Sequence, residues 1–126
     1  LLVFFLLGKQ PKHLQLRRSD MSSILDNQDL LILKNITHIY NHDLQKIKVL
    51  NNINIRISKG EMISLIGPSG TGKSTLLNIA GLLEKPTIGS IILSGNDCTK
   101  LSEDKKTQLR GSKIGFIFQS HRLFQE

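Results

Sequence analysis

The sequence predicts an α/β fold built around a phosphate-binding loop, with an antiparallel β subdomain leading into it. Three observations carry this expectation. Gly67, Pro68, Ser69, Gly70, Thr71, Gly72, Lys73, Ser74 and Thr75 read G-x-x-x-x-G-K-[ST]. An apolar run, Met62 to Ile66, comes directly before them, and Leu76 to Leu83 is apolar directly after them. That is the strand-then-helix setting in which the pattern has a mechanism. Upstream, two β-patterned segments are separated by the polar stretch Asn41, His42, Asp43, as an antiparallel pair requires.

Taken in order, Leu30 to Tyr40 reads as a strand. Leu31, Leu33, Asn35, Thr37 and Ile39 lie on one side, and Leu30, Ile32, Lys34, Ile36 and His38 on the other. The alternation is imperfect, so partial cover on both faces is expected. From Ile47 to Ile57 the apolar residues Ile47, Val49, Ile53, Ile55 and Ile57 recur at odd positions, which describes a half-buried strand or two short ones split at Asn51. Lys59 and Gly60 form a turn, and Glu61 to Ile66 has the continuous apolar character of a buried parallel strand.

The loop glycines let the backbone curl until successive N–H groups face one concavity, a site for a polyanion. Lys73 supplies a point charge for the β and γ phosphates, and Ser74 a hydroxyl for Mg²⁺. The helix that follows adds the positive end of its dipole. This helix is predicted over about Lys73 to Leu83, apolar on nearly every face and therefore buried, with Pro86 ending it. Ser90 to Leu93 is a short strand closed by Gly95 and Asn96. Ser102 caps a helix to Arg110 whose acidic start (Glu103, Asp104) and basic end (Arg110, Lys113) suit the dipole, with Gly111 as its stop. Ile114 to Phe118 is one more apolar strand, ending at Gln119.

Composition narrows the function. A chain of 126 residues with 39% hydrophobic content holds one domain and is globular rather than disordered. The net charge of +7 draws much of its excess from Lys9, Lys12, Arg17 and Arg18, and only 5% of the chain is aromatic. The scattered lysines lack the clustering with aromatics of a nucleic-acid face, so no nucleic-acid partner is expected. Cys98 is the only cysteine, which excludes an internal disulfide and suits a reducing cytoplasm. His13, His38, His42 and His121 do not form a metal set, because the segment around His38 and His42 alternates as a strand does. The opening LLVFFLL is too short for the roughly 20 residues that span a bilayer, and no positive charge precedes it as in a signal peptide. Residues 1–29 are read as an N-terminal extension, disordered or upstream of the true start, with Met21 as the suspected initiator.

The succession of a strand pair, the turn Gly60–Glu61, the phosphate loop, GLLEKPTIG, IILSGND and KIGFIFQSHRLF resembles the ATP-binding subunits of ABC transporters, from about Leu30 to Glu126. The resemblance implies an ABC-type ATPase with ATP and Mg²⁺ as cofactors, residues 30–126 being the N-terminal half of its nucleotide-binding domain. It implies that Tyr40 stacks on adenine, that Gln119 joins Ser74 at Mg²⁺, and that Gln119 and Lys73 serve catalysis near the attacking water. Its partners would be integral-membrane permease subunits and a second copy of the chain, at the cytoplasmic face of the bacterial inner membrane.

Within the family, SHRLF at 120–124 is most similar to the lipoprotein-releasing group, although Gln125 replaces the usual proline before the acidic residue. Export of macrolides or peptides, a division-associated complex, a non-catalytic truncated remnant and a soluble ABC protein acting on nucleic acid are the alternatives. The family's LSGGQ segment, acidic strand and switch histidine do not occur in these residues. The chain alone is therefore expected to bind ATP weakly, to hydrolyse it negligibly, and to leave a strand edge and its apolar helix open to solvent.

Overall fold

The computed structural model describes residues 3–5, 29–42 and 45–117. Its elements are β1 (Val3–Phe5), β2 (Asp29–His42), β3 (Gln45–Ser58), α1 (Lys73–Ala80), β4 (Ile88–Leu93), β5 (Asn96–Asp97), α2 (Glu103–Lys113) and β6 (Gly115–Ile117). A four-stranded antiparallel sheet runs in the order β3-β2-β4-β5, and β1 pairs antiparallel with β6 in a second, small sheet. The antiparallel subdomain expected ahead of the loop is present, and β2 is its centre.

The imperfect alternation of β2 has a structural cause. Leu31 and Leu33 are buried at odd positions, whereas Ile36 and His38 are buried at even ones. Between them Asn35 adopts φ 53, and the register against both neighbours slips there. One extra residue changes the parity of everything after it. The bulge is closed by the Asn35 amide donating to Asn54 Oδ1 at 2.9 Å, and by the Asn52 amide donating to Thr37 Oγ1 at 3.0 Å. Asn52 sits opposite with φ 51. Both positions carry asparagine, which tolerates the left-handed region better than most residues. Gly89 of β4 nests against this bulge: a Cβ there would lie 2.7 Å from the carbonyl oxygens of Lys34 and Asn35.

The core forms where α1 lies against the sheet. Leu76, Ile79 and Ala80 of the helix join Leu31, Leu33, Ile36, Leu50, Ile91 and Leu93 from three strands, with Leu82 and Cys98. The helix is shorter than its apolar pattern predicts, since Gly81 ends it and Leu82 turns at φ 60. Leu83 is exposed. α2 begins at the predicted cap, with the Lys105 amide donating to Ser102 Oγ at 3.5 Å. It runs past Gly111 to Lys113, because Gly111 keeps helical geometry and the basic residues at its end continue to suit the dipole. α2 is fastened to the end of α1 by Arg110, whose guanidinium donates to the Leu82 carbonyl at 2.6 Å.

A further expectation fails. Residues 61–66 form neither strand nor helix, and Met62 and Ile66 are 85% and 86% exposed. A parallel strand is buried only when neighbours cover both its edges and faces. Among the described residues no strand pairs with this segment. Ile114 likewise precedes the last strand, which is described only over Gly115–Ile117.

Candidate nucleotide-binding site

The loop leaves the exposed stretch at Gly67 and enters α1 at Lys73. Gly70 and Gly72 both take positive φ, 79 and 83, and Gly72 is the helix N-cap. At Gly72 the need for glycine is double: besides its φ, a Cβ would stand 2.9 Å from the Val49 carbonyl oxygen and 3.0 Å from Leu50 Cδ2. The close approach of loop to β3 is thus built from a missing side chain.

No side chain caps α1, and its first internal bond is Leu76 N–H to the Gly72 carbonyl at 2.9 Å. The amides of the first turn therefore face outward as donors, at the positive end of the helix. They open into a cleft of about 300 Å³ lined by Val49, Ser69, Gly70, Gly72, Lys73, Ser74 and Thr75. Lys73 bends back over the loop, its ammonium donating to the Pro68 carbonyl and, at 3.2 Å, to Thr71 Oγ1. Thr71 Oγ1 itself donates to the Pro68 carbonyl at 2.8 Å. Donors from backbone, ammonium and the exposed Ser74 hydroxyl converge without a carboxylate among the lining residues, which is the donor set a polyphosphate needs.

Tyr40 comes to the same place from the sheet. The parity change at Asn35 turns it toward α1, where its hydroxyl lies 3.2 Å from Thr75 Oγ1. The Thr75 contact acts most strongly on its pKa and lowers it, but burial and the Glu84 carboxylate together outweigh it, so the phenol sits above its ordinary value. It remains a neutral ring with a hydroxyl at physiological pH. The ring is 39% exposed, leaving part of its surface for a ligand.

Of the residues singled out in the sequence, Tyr40 and Gly67 to Thr75 are brought together here. Gln119 lies outside the described residues. Val49 was missed: its only signal was an odd-position place in a half-buried strand, and nothing in that pattern says it faces the loop. Among the described residues no three of His, Cys, Asp and Glu gather as a metal set. Of the positions named for Mg²⁺, Ser74 alone is placed, exposed at the helix start and lining the cleft, where its hydroxyl is an oxygen donor of the kind Mg²⁺ takes.

Comparison with known proteins agrees with this geometry. Residues 50–126 match the ABC transporter family. The lipoprotein-releasing system ATP-binding protein LolD of Hyphomonas neptunium is 48% identical over 99 residues, covering 79% of this chain and 43% of that protein. The protein of the same name from Anaplasma marginale is 49% identical over 81 residues, 64% of this chain and 36% of the relative. The chain thus spans less than half the length of these curated relatives. Among solved structures, the ATP-binding cassette MJ0796 in a dimeric post-hydrolysis state bound to ADP and Pi is similar at TM-score 0.62 and 42% identity, covering 64% of this chain and 34% of that one. With residues 50–126, more than half of its length, matched to that family, the chain belongs to the ABC transporter family.

Proposed function

We propose that this chain supplies the phosphate- and base-binding half of an ATPase subunit that couples ATP hydrolysis to export, specifically the release of lipoproteins from the inner membrane. Residues 30–126 are the N-terminal half of the nucleotide-binding domain, and residues 1–29 an extension before it. The observation that carries the reading is the uncapped start of α1 opening, with Lys73 above it, into the cleft beside Tyr40. The 48% identity to a lipoprotein-releasing ATP-binding protein supports the substrate class.

In this reading the triphosphate lies along the loop from Gly67 to Thr75, held by amides that need no rearrangement to receive charge. Lys73 leaves the Pro68 carbonyl for the β and γ phosphates, exchanging a neutral acceptor for a charged one. Ser74 and Gln119 would hold Mg²⁺, which would supply charge neutralisation for the phosphates. Gln119 orients the attacking water, and Tyr40 supports the adenine ring. The partners are integral-membrane permease subunits and a second copy of the ATP-binding subunit, and the subunit sits peripherally on the cytoplasmic face. No helix among the described residues is long and apolar enough to cross a membrane.

The test is nucleotide binding and lipoprotein release by the full-length gene product with its permease. Lys73→Ala should weaken Mg-ATP binding by about tenfold or more and stop ATP-dependent release of lipoprotein from proteoliposomes. Undiminished binding in that variant would overturn the nucleotide reading. Binding and turnover without lipoprotein release, but with macrolide or peptide export, would move the substrate to the alternative group.

A further inference from the structure

A side-chain chain behind Tyr40 has no part in the phosphate chemistry. His38 is two residues before Tyr40 on the same face of β2, buried, with Nε2 3.1 Å from Glu84 Oε1. The two are at ion-pair distance without hydrogen-bond alignment, and Nδ1 has no hydrogen-bond partner. The His38 and Tyr40 rings meet at 4.6 Å between centroids with an interplanar angle of 80°, an edge-to-face contact. Glu84 belongs to the connection between α1 and β4, which also grips β2 through Thr87 Oγ1, accepting from the Ile39 amide at 3.0 Å. Tyr40 is thereby held by its hydroxyl to Thr75 on α1, by its ring to His38, and by the Glu84 carboxylate, which acts on the phenol as well as facing the imidazole from beyond the far end of α1.

From this arrangement we infer that His38 and Glu84 are positioning residues for the aromatic base platform, fixing the Tyr40 ring so that the site pays little ordering entropy when the base of a purine nucleotide arrives. The inference rests on the reading of Tyr40 as that platform. A buried imidazole with an unpartnered nitrogen is costly, and the core could have been filled more cheaply by an aliphatic residue at this strand position. Its place against the one tyrosine of the chain, with one carboxylate acting on both, gives it a task. Neither His38 nor Glu84 lines the cleft at the start of α1, which is formed by Val49 and residues of 69–75, so the brace meets the phosphate cradle only through the contact of Tyr40 with Thr75. Loss of the brace should therefore weaken the base-dependent part of affinity and leave the phosphate-dependent part intact.

The experiment compares binding of ATP with binding of inorganic tripolyphosphate, both with Mg²⁺, to the full-length gene product and its His38→Asn, Glu84→Gln, Tyr40→Ala and Lys73→Ala variants. His38→Asn and Glu84→Gln should each weaken ATP about three- to tenfold while tripolyphosphate affinity stays within about twofold of the parent. Glu84, being only partly buried, keeps the test open should the His38 variant fail to fold. Equal losses for both ligands, or no loss of ATP affinity in the Glu84→Gln protein, would overturn the positioning role. If Tyr40→Ala leaves the ratio of the two affinities unchanged, the platform reading itself fails. If Lys73→Ala leaves both ligands bound as before, the nucleotide reading fails. A changed ratio in Tyr40→Ala beside an unchanged one in both brace variants overturns the brace alone.

Discussion

The residues of the phosphate-loop pattern could be placed from the sequence because the loop is local: Gly67 to Thr75 are consecutive, and their spacing alone fixes which groups come together. Residues that act through tertiary contacts could not. Val49 approaches the loop only because Gly72 has no side chain, and His38 meets Glu84 across a separation that no pattern in the chain encodes. Lys106 is a further case. On a solvated helix face it would be an ordinary exposed lysine, yet it is buried with its ammonium 2.8 Å from Glu103 Oε1. That hydrogen bond first, and the charge of Lys106 second, hold the Glu103 carboxyl below its ordinary value. A carboxylate with a depressed folded pKa contributes stability in full above its unfolded value, about 4.3, and loses it as pH falls through the folded value. Thermal melts of the full-length gene product from pH 6 down to pH 3 should therefore fall less steeply for Glu103→Gln than for the parent. Parallel curves would exclude the linkage.

At the scale of elements, what was legible depended on whether propensity or packing decided the outcome. The Ser102 cap and the acidic first turn of α2 are local signals and stand where they were read. The end of α1 was set by Gly81 and the Leu82 turn, which packing made possible and an apolar run concealed. In β2 the alternation is blurred because an inserted residue divides two regular halves; Asn35, a face position by simple alternation, is the insertion itself. Since its left-handed φ is what the bulge requires, Asn35→Val should cost roughly 1–2 kcal/mol, and Asn35→Gly much less. The Asn35 side chain is not the acceptor that closes the bulge, so glycine retains that bond. Urea denaturation of the two variants checks this, and equal destabilisation would mean that the side chain rather than the backbone matters there.

Over the whole molecule, the four-stranded sheet with α1 on its face is a complete antiparallel unit, with a core drawn from both. The segment 61–66 pairs with none of its strands, and only Leu65 of its apolar residues packs against the core. Its sequence describes a strand buried on every side, but burial is a property of neighbours and cannot be supplied by the strand alone. Met62, Ile63 and Ile66 are consequently exposed while Leu31, Leu33 and Leu93 are sealed. Hydrogen–deuterium exchange on this chain should find the amides of 62–66 exchanging at least about a hundredfold faster than those of 31–33 and 91–93. Equal protection would mean that the segment pairs with something the described residues do not contain.

The bond between Tyr40 and Thr75 joins a sheet to a loop that otherwise meet edge to edge. In the proposed reading, a nucleotide spanning both would touch each with a different part of itself, base on one bank and phosphates on the other, and so act as mortar between two blocks. Removing its outer phosphate would loosen one bank while the other kept its hold, allowing a spent molecule to linger at the aromatic side before it leaves.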